Sequence, residues 1–225
     1  MTKLEDLLIN LDSSPPIEGI RSDSYKIFDF SNSNSDLKTM DMNNKNEFES
    51  YIYCKISESN SNFGIGKYAE NRILYRRFGI FEEEESRSFH LGLDIWKKEE
   101  TSVFAPLDGQ VESFANNSKP GDYGPTIILK HQTENLDFYT LYGHLNQNAI
   151  AKLRLGQVIK KGEKFAELGD WSVNKFWPPH LHFQVIKDLY DYKGDFPGVC
   201  VPNEKERWME NSPNPNLLLK IPGLN

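Results

Sequence analysis

Cysteine is scarce in this chain: Cys54 and Cys200 are the only two in 225 residues, with no C-x-x-C spacing. A cysteine-built metal cluster is therefore excluded, and two buried free thiols are expected in preference to a disulfide. Basic residues are also in short supply. Lys plus Arg number 26 against 33 Asp plus Glu, for a net charge of −7. Phosphate backbones are bound by clustered cations, so no nucleic-acid partner is expected. The same acidity gives no help to an enzyme that must cling to an anionic cell wall. No uninterrupted apolar run approaches the roughly 20 residues of a membrane-spanning helix. The opening stretch, MTKLEDLLINLDSSPP, has no basic n-region, no apolar h-region and no small-residue cleavage site. A cytoplasmic location is expected for the sequence as it stands, and a periplasmic or extracellular one if a leader has been removed.

What is present is enough for one sizeable core plus an extension. Thr2 followed by Glu5 fits a capping box, and Leu4, Leu7, Leu8 and Leu11 recur at helical spacing, predicting a short first helix. Residues 31–46 are rich in Ser and Asn and read as a polar loop. Phe48, Tyr51, Ile52 and Ile56 form a second helical stripe. Near residue 70 the texture changes to short β-type runs, at 102–105, 109–114, 126–131, 137–143, 164–168 and 180–186, separated by turn residues. Three parts are expected: an N-terminal extension over 1–70, a β domain over 71–190, and a C-terminal extension over 191–225 packed on that domain. The fold class is mainly β, an antiparallel sandwich or partly closed barrel. The acidic run Glu82 to Glu85 reads as a solvated loop.

Histidine is rare too, with five in the chain, yet four fall in three short motifs. His90 precedes Asp94 in FHLGLDIW, His144 sits in LYGHL, and His180 and His182 form an H-x-H in PPHLHFQV. Side chains alternate along a strand, so His180 and His182 share one face while Leu181, Phe183 and Val185 share the other. His90 and Asp94 are evenly spaced as well, and Gly92 with its aromatic and β-branched neighbours favours extended backbone there. Imidazoles with one carboxylate make the mixed N/O set of a one-zinc hydrolytic site that keeps a position open. His131, in ILKHQTEN, reads as a surface or turn histidine.

The stretch from His90 to Val185 resembles the LytM/lysostaphin-type zinc metallopeptidases. HLGLDIW is similar to that family's H-x-G-x-D segment, VFAPLDGQV to its paired strands, and YGPTIILKH to its Y-G segment. LYGHL, GQVIKKGEKFAELG and PHLHFQV follow in the family's order. The resemblance implies that His90, Asp94 and His182 bind Zn2+, and that His144 and His180 stand beside the metal as catalytic groups. It implies an antiparallel β sandwich or barrel-sandwich hybrid of the LytM type, with the partly helical extension before it. WPPHLHFQV, GDFPGV and SPNPNLLL resemble a branch in which this domain is joined to kinase-like and aminotransferase-like domains.

With no HExxH helix and no evident catalytic glutamate, histidine must serve as general base and oxyanion donor. The first expectation is a zinc metalloendopeptidase acting on a peptide or peptidoglycan-like substrate, in cross-link or stem peptides. A second is a cytoplasmic zinc amidase acting on a small amide outside the wall. A third, non-catalytic binding module is suggested by the likeness of VFAPLDGQV and VIKKGEKFAELG to carrier-domain halves. Against it, the modifiable lysine on a hairpin tip is missing between them.

Overall fold

The computed structural model describes the chain except for residues 42–43, 76–86, 135, 175–176 and 225. The run at 82–85 therefore lies outside the described residues. The chain opens with α1 (Lys3–Asn10), whose Thr2 and Glu5 complete the expected capping box. It continues through β1 (Tyr25–Phe28), α2 (Ser35–Thr39), α3 (Lys45–Glu58) and β2 (Phe63–Gly66). The short strands β3 (Phe89–His90) and β4 (Leu93–Trp96) follow, then β5 (Ser102–Phe104), β6 (Gly109–Asn117), β7 (Gly124–Gln132) and β8 (Asp137–Gly143). After α4 (Asn148–Ala151) come β9 (Val158–Ile159), β10 (Lys164–Glu167), β11 (His180–Ile186) and β12 (Val199–Cys200). Helices α5 (Lys205–Asn211) and α6 (Asn216–Leu219) end the chain.

Eight strands form one sheet in the order β1-β2-β4-β11-β8-β7-β6-β9, flanked by the small pairs β10-β5 and β12-β3. The mainly β class holds, and every pair from β2 to β9 is antiparallel. The β1–β2 pair is parallel, which makes the sheet mixed. The 14-residue helix α3 lies between those strands in the chain, and parallel neighbours need a crossover of that kind.

One face of the sheet buries Leu93, Ile95, Ile127, Leu129, Leu181, Phe183 and Val185 together with Leu4, Leu8, Leu218 and Leu219 from the two ends of the chain. Burying such side chains stabilises the fold by about 1.5–3 kcal/mol each, so both ends add to the same core. The other face carries an aromatic cluster of Phe28, Phe30, Phe48, Trp96 and Trp177, and a second cluster around Tyr123, Ile128, Leu141 and Phe196.

Three expectations need correction. Residues 31–46 are not one loop: α2 lies inside them, capped by Asn34, whose side chain accepts from Asp36 N, and anchored by buried Leu37. Polar composition hid that single anchor. Both thiols are free, but Cys54 lies exposed on α3 while Cys200 is buried. His131 is not a surface residue; it is 1% exposed on β7. Its Nδ1–H donates to Asp108 O at 2.8 Å, and its Nε2 lies 2.7 Å from the Thr140 hydroxyl. A buried imidazole needs both nitrogens partnered, and this one has them. Among the described residues, no helix is long and apolar enough to cross a membrane.

Candidate metal centre

Strand register brings the motifs together. On β11, His182 faces Asp94 of β4 on one side and Gly143 of β8 on the other. His180 lies two residues earlier, opposite Trp96. His144 directly follows β8 with φ +63°, a left-handed turn that takes the chain out of the sheet at the site. His90 comes from β3, which pairs with β12 through Val199. Gly92, between β3 and β4, has to be glycine: a Cβ there would sit 2.4 Å from His182 Cε1 and 3.0 Å from Phe183 O.

All five expected site residues converge, each 4% exposed or less. His90, Asp94 and His182 form a group able to hold a metal ion. His90 Nε2 lies 3.1 Å from His182 Nδ1 and 3.3 Å from Asp94 Oδ1, and His182 Nδ1 lies 3.1 Å from that same oxygen. Ligands about 2.0–2.1 Å from a tetrahedral ion are separated by roughly 3.3–3.4 Å, so this triangle is close to the size required.

Proton positions sharpen the fit. His90 Nδ1 lies 2.9 Å from Lys67 O, a carbonyl that can only accept, so Nδ1 carries the hydrogen. The Gln184 amide nitrogen donates to Pro197 O at 3.2 Å and Ser212 Oγ at 2.9 Å, which turns its Oε1 toward His182. His182 Nε2–H therefore donates to Gln184 Oε1 at 3.0 Å. With those hydrogens placed, His90 Nε2, His182 Nδ1 and Asp94 Oδ1 are three acceptors aimed at one point. Three lone pairs about 3 Å apart repel one another in a buried site unless a cation lies between them.

Electrostatics agree with that picture. Burial pushes His90 and His180 down to about 4, and burial likewise holds His144 well below the usual imidazole range. Neutral imidazoles are the metal-binding form. For Asp94, burial raises the carboxyl, but the Arg72 guanidinium bonded to its Oδ2 opposes this, and the group lies well below the usual carboxylate range.

The rings of His144 and His180 lie with centroids 4.0 Å apart, tilted by 36°, and His180 in turn stacks on Trp96 at 4.1 Å. His180 Nδ1–H donates to Pro178 O at 2.8 Å, leaving Nε2 bare 3.9 Å from Asp94 Oδ1. Among the described residues, buried His144 Nδ1 has no partner. The five side chains open into a cavity of about 640 Å³ walled by Trp177, Tyr123, Tyr192, Phe196 and Val199.

Sequence reasoning missed the shell behind these residues. Gln184 was findable, because it continues the two-residue period of H-x-H on β11. Arg72, which donates to Asp94 Oδ2 at 2.5 Å, and Glu70, which accepts from Arg72 at 3.0 Å, carry no motif.

Comparison with known proteins supplies the family. An uncharacterized metalloprotease of Haemophilus influenzae is 35% identical over 95 residues, 42% of this chain and 18% of that protein. The chain thus spans about a fifth of the length of that curated relative. Among solved structures, a zinc-containing peptidase from Vibrio cholerae is 26% identical over 44% of this chain and 27% of its own, with a TM-score of 0.36. The catalytic domain of lysostaphin from Staphylococcus simulans is 21% identical over 56% of this chain and 86% of its own, with a TM-score of 0.38. Residues 88–193 match the model of Peptidase family M23, and this part of the chain is a domain of that family, the LytM/lysostaphin group its motifs resemble.

Proposed function

We propose that this chain is a zinc metallopeptidase in which His90, Asp94 and His182 hold the ion while His144 and His180 act on the substrate. The observation that carries the reading is the triangle of bare acceptors, with the two imidazole hydrogens directed outward to Lys67 O and Gln184 Oε1. When bound, zinc supplies Lewis acidity, which polarises a scissile carbonyl and makes an attacking water more acidic. Two imidazoles and a carboxylate leave a net charge of +1 at such a centre and keep one position open.

The protein's own groups do the rest. His180 is held by Pro178 O in the tautomer with Nε2 bare, so it is positioned to take a proton from the attacking water. His144, whose Nδ1 has no partner among the described residues, is placed to direct an N–H toward the developing oxyanion. The aromatic walls exclude water and align the chain of the substrate. We assign peptide bonds in peptidoglycan-type cross-link or stem peptides as the substrate class.

One observation favours a second reading, hydrolysis of a small amide outside the wall: the site side chains lie deep in a cavity of small-molecule size. Zinc-loaded chain incubated with isolated sacculi, with product masses read and a chelator control, separates the two. Chelator-sensitive release of soluble muropeptides supports the first. No release, with zinc bound and short peptides or amides cleaved, supports the second.

A further inference from the structure

Asp94 has two oxygens, and only one faces the histidines. The other, Oδ2, accepts from Arg72 Nη1 at 2.5 Å. We propose that Arg72 is a positioning residue for the metal site: by holding Oδ2 it makes Asp94 bind through a single oxygen. This rests on the reading that His90, Asp94 and His182 hold the ion.

Arg72 is itself fixed from every side. It is 2% exposed, and its Nε donates to Glu70 Oε2 at 3.0 Å. Its Nη2 donates to Lys67 O at 3.0 Å, and Nη1 also lies 3.3 Å from the Tyr75 hydroxyl. Glu70 in turn accepts from Phe30 N at 3.1 Å and meets Lys67 Nζ at 3.2 Å. Lys67 O accepts from both Arg72 and His90, so one carbonyl orients the supports of two of the three metal-facing groups. The approach needs a bare backbone at Gly66, which faces Asp94 across the β2–β4 pair. A Cβ at Gly66 would sit 2.8 Å from Arg72 Nη2 and 3.2 Å from Asp94 Oδ2.

The chemical consequence follows from coordination. A carboxylate free to turn can chelate through both oxygens, which would fill the position that water or substrate needs. A charge-assisted hydrogen bond from a planar, pre-set guanidinium opposes that turn. Segment 66–72 lies ahead of residues 88–193, so part of the site's support comes from outside the matched domain.

Cobalt(II) in place of zinc gives a visible spectrum that reports coordination number, whereas zinc is silent. The full chain and its Arg72→Met and Arg72→Lys variants are loaded with Co2+, and affinity for Zn2+ is read by chelator competition. Wild type should show the intense bands of a four-coordinate ion. Both variants should show weaker bands, as Asp94 turns to chelate, and roughly 10- to 100-fold weaker zinc binding. Loss of cobalt binding altogether in a variant with native circular dichroism is the extreme of the same effect. Arg72→Met combined with Glu70→Gln removes both buried charges, for use if Arg72→Met alone does not fold. A wild-type cobalt spectrum in a folded variant overturns the proposal, whatever its stability. Failure of wild type to take up either metal sinks the reading of the site itself, separately from Arg72.

Discussion

Each metal-facing histidine is aimed by the hydrogen on its far nitrogen: His90 by the bond to Lys67 O, His182 by the bond to Gln184. Replacing His182 or Asp94 by Ala should therefore abolish stoichiometric zinc, read by elemental analysis. His144→Ala and His180→Ala should keep zinc and lose about 10²- to 10⁴-fold in turnover, the usual worth of a positioned acid or base. A His180 variant with normal turnover contradicts its role as base. His131 gives a prediction independent of the metal. Burial pushes it down to about 4 in the folded chain, against an ordinary value of 6.5. The unfolded chain thus binds the extra proton between those values, so this contribution is present above about pH 6.5 and lost as pH falls toward 4. Metal-free wild type should lose stability across that window more steeply than His131→Gln, by up to roughly 1.4 kcal/mol per pH unit. Parallel slopes would show that His131 is protonated in the fold.

Strands did most of the visible work at the scale of elements. H-x-H on β11 and H-x-x-x-D across β3 and β4 were legible because the period of a strand is two and the hydrophobic partners Leu181, Phe183, Leu93 and Ile95 fill the opposite face. Arg72 and Glu70 were not legible, because Arg72 meets Asp94, with Glu70 behind it, only when β2 comes to lie beside β4. No local spacing encodes that contact. The parallel β1–β2 pair was hidden for a similar reason: two four-residue strands, YKIF and FGIG, carry too little pattern to fix direction. Gly92 is the test of how tightly β3 and β4 approach β11. Gly92→Ala should push His182 aside and weaken zinc binding by at least about tenfold, as displaced supports do. Unchanged affinity would mean that His182 has room the geometry does not show.

The two ends of the chain meet across the whole molecule. Leu8 of α1, with no exposed surface, shares a core with Leu218 and Leu219 of α6 and with the inward side chains of the sheet. We propose that the parts before 71 and after 190 act as supports for the β domain, one carrying Gly66, Lys67 and Glu70, which back Arg72, the other Val199 and the Pro197 carbonyl that orients Gln184. Leu8→Ala should cost about 2–5 kcal/mol in urea unfolding if α1 belongs to that core, and almost nothing if it is an appendage. The central claim concerns the triangle of acceptors, and zinc stoichiometry tests it most directly. Dialysed wild-type chain titrated with Zn2+ should bind one ion per chain, and Asp94→Ala should bind none at the same concentrations. A wild-type chain that takes up no zinc, or an Asp94→Ala chain that binds it as well as wild type, would contradict the account.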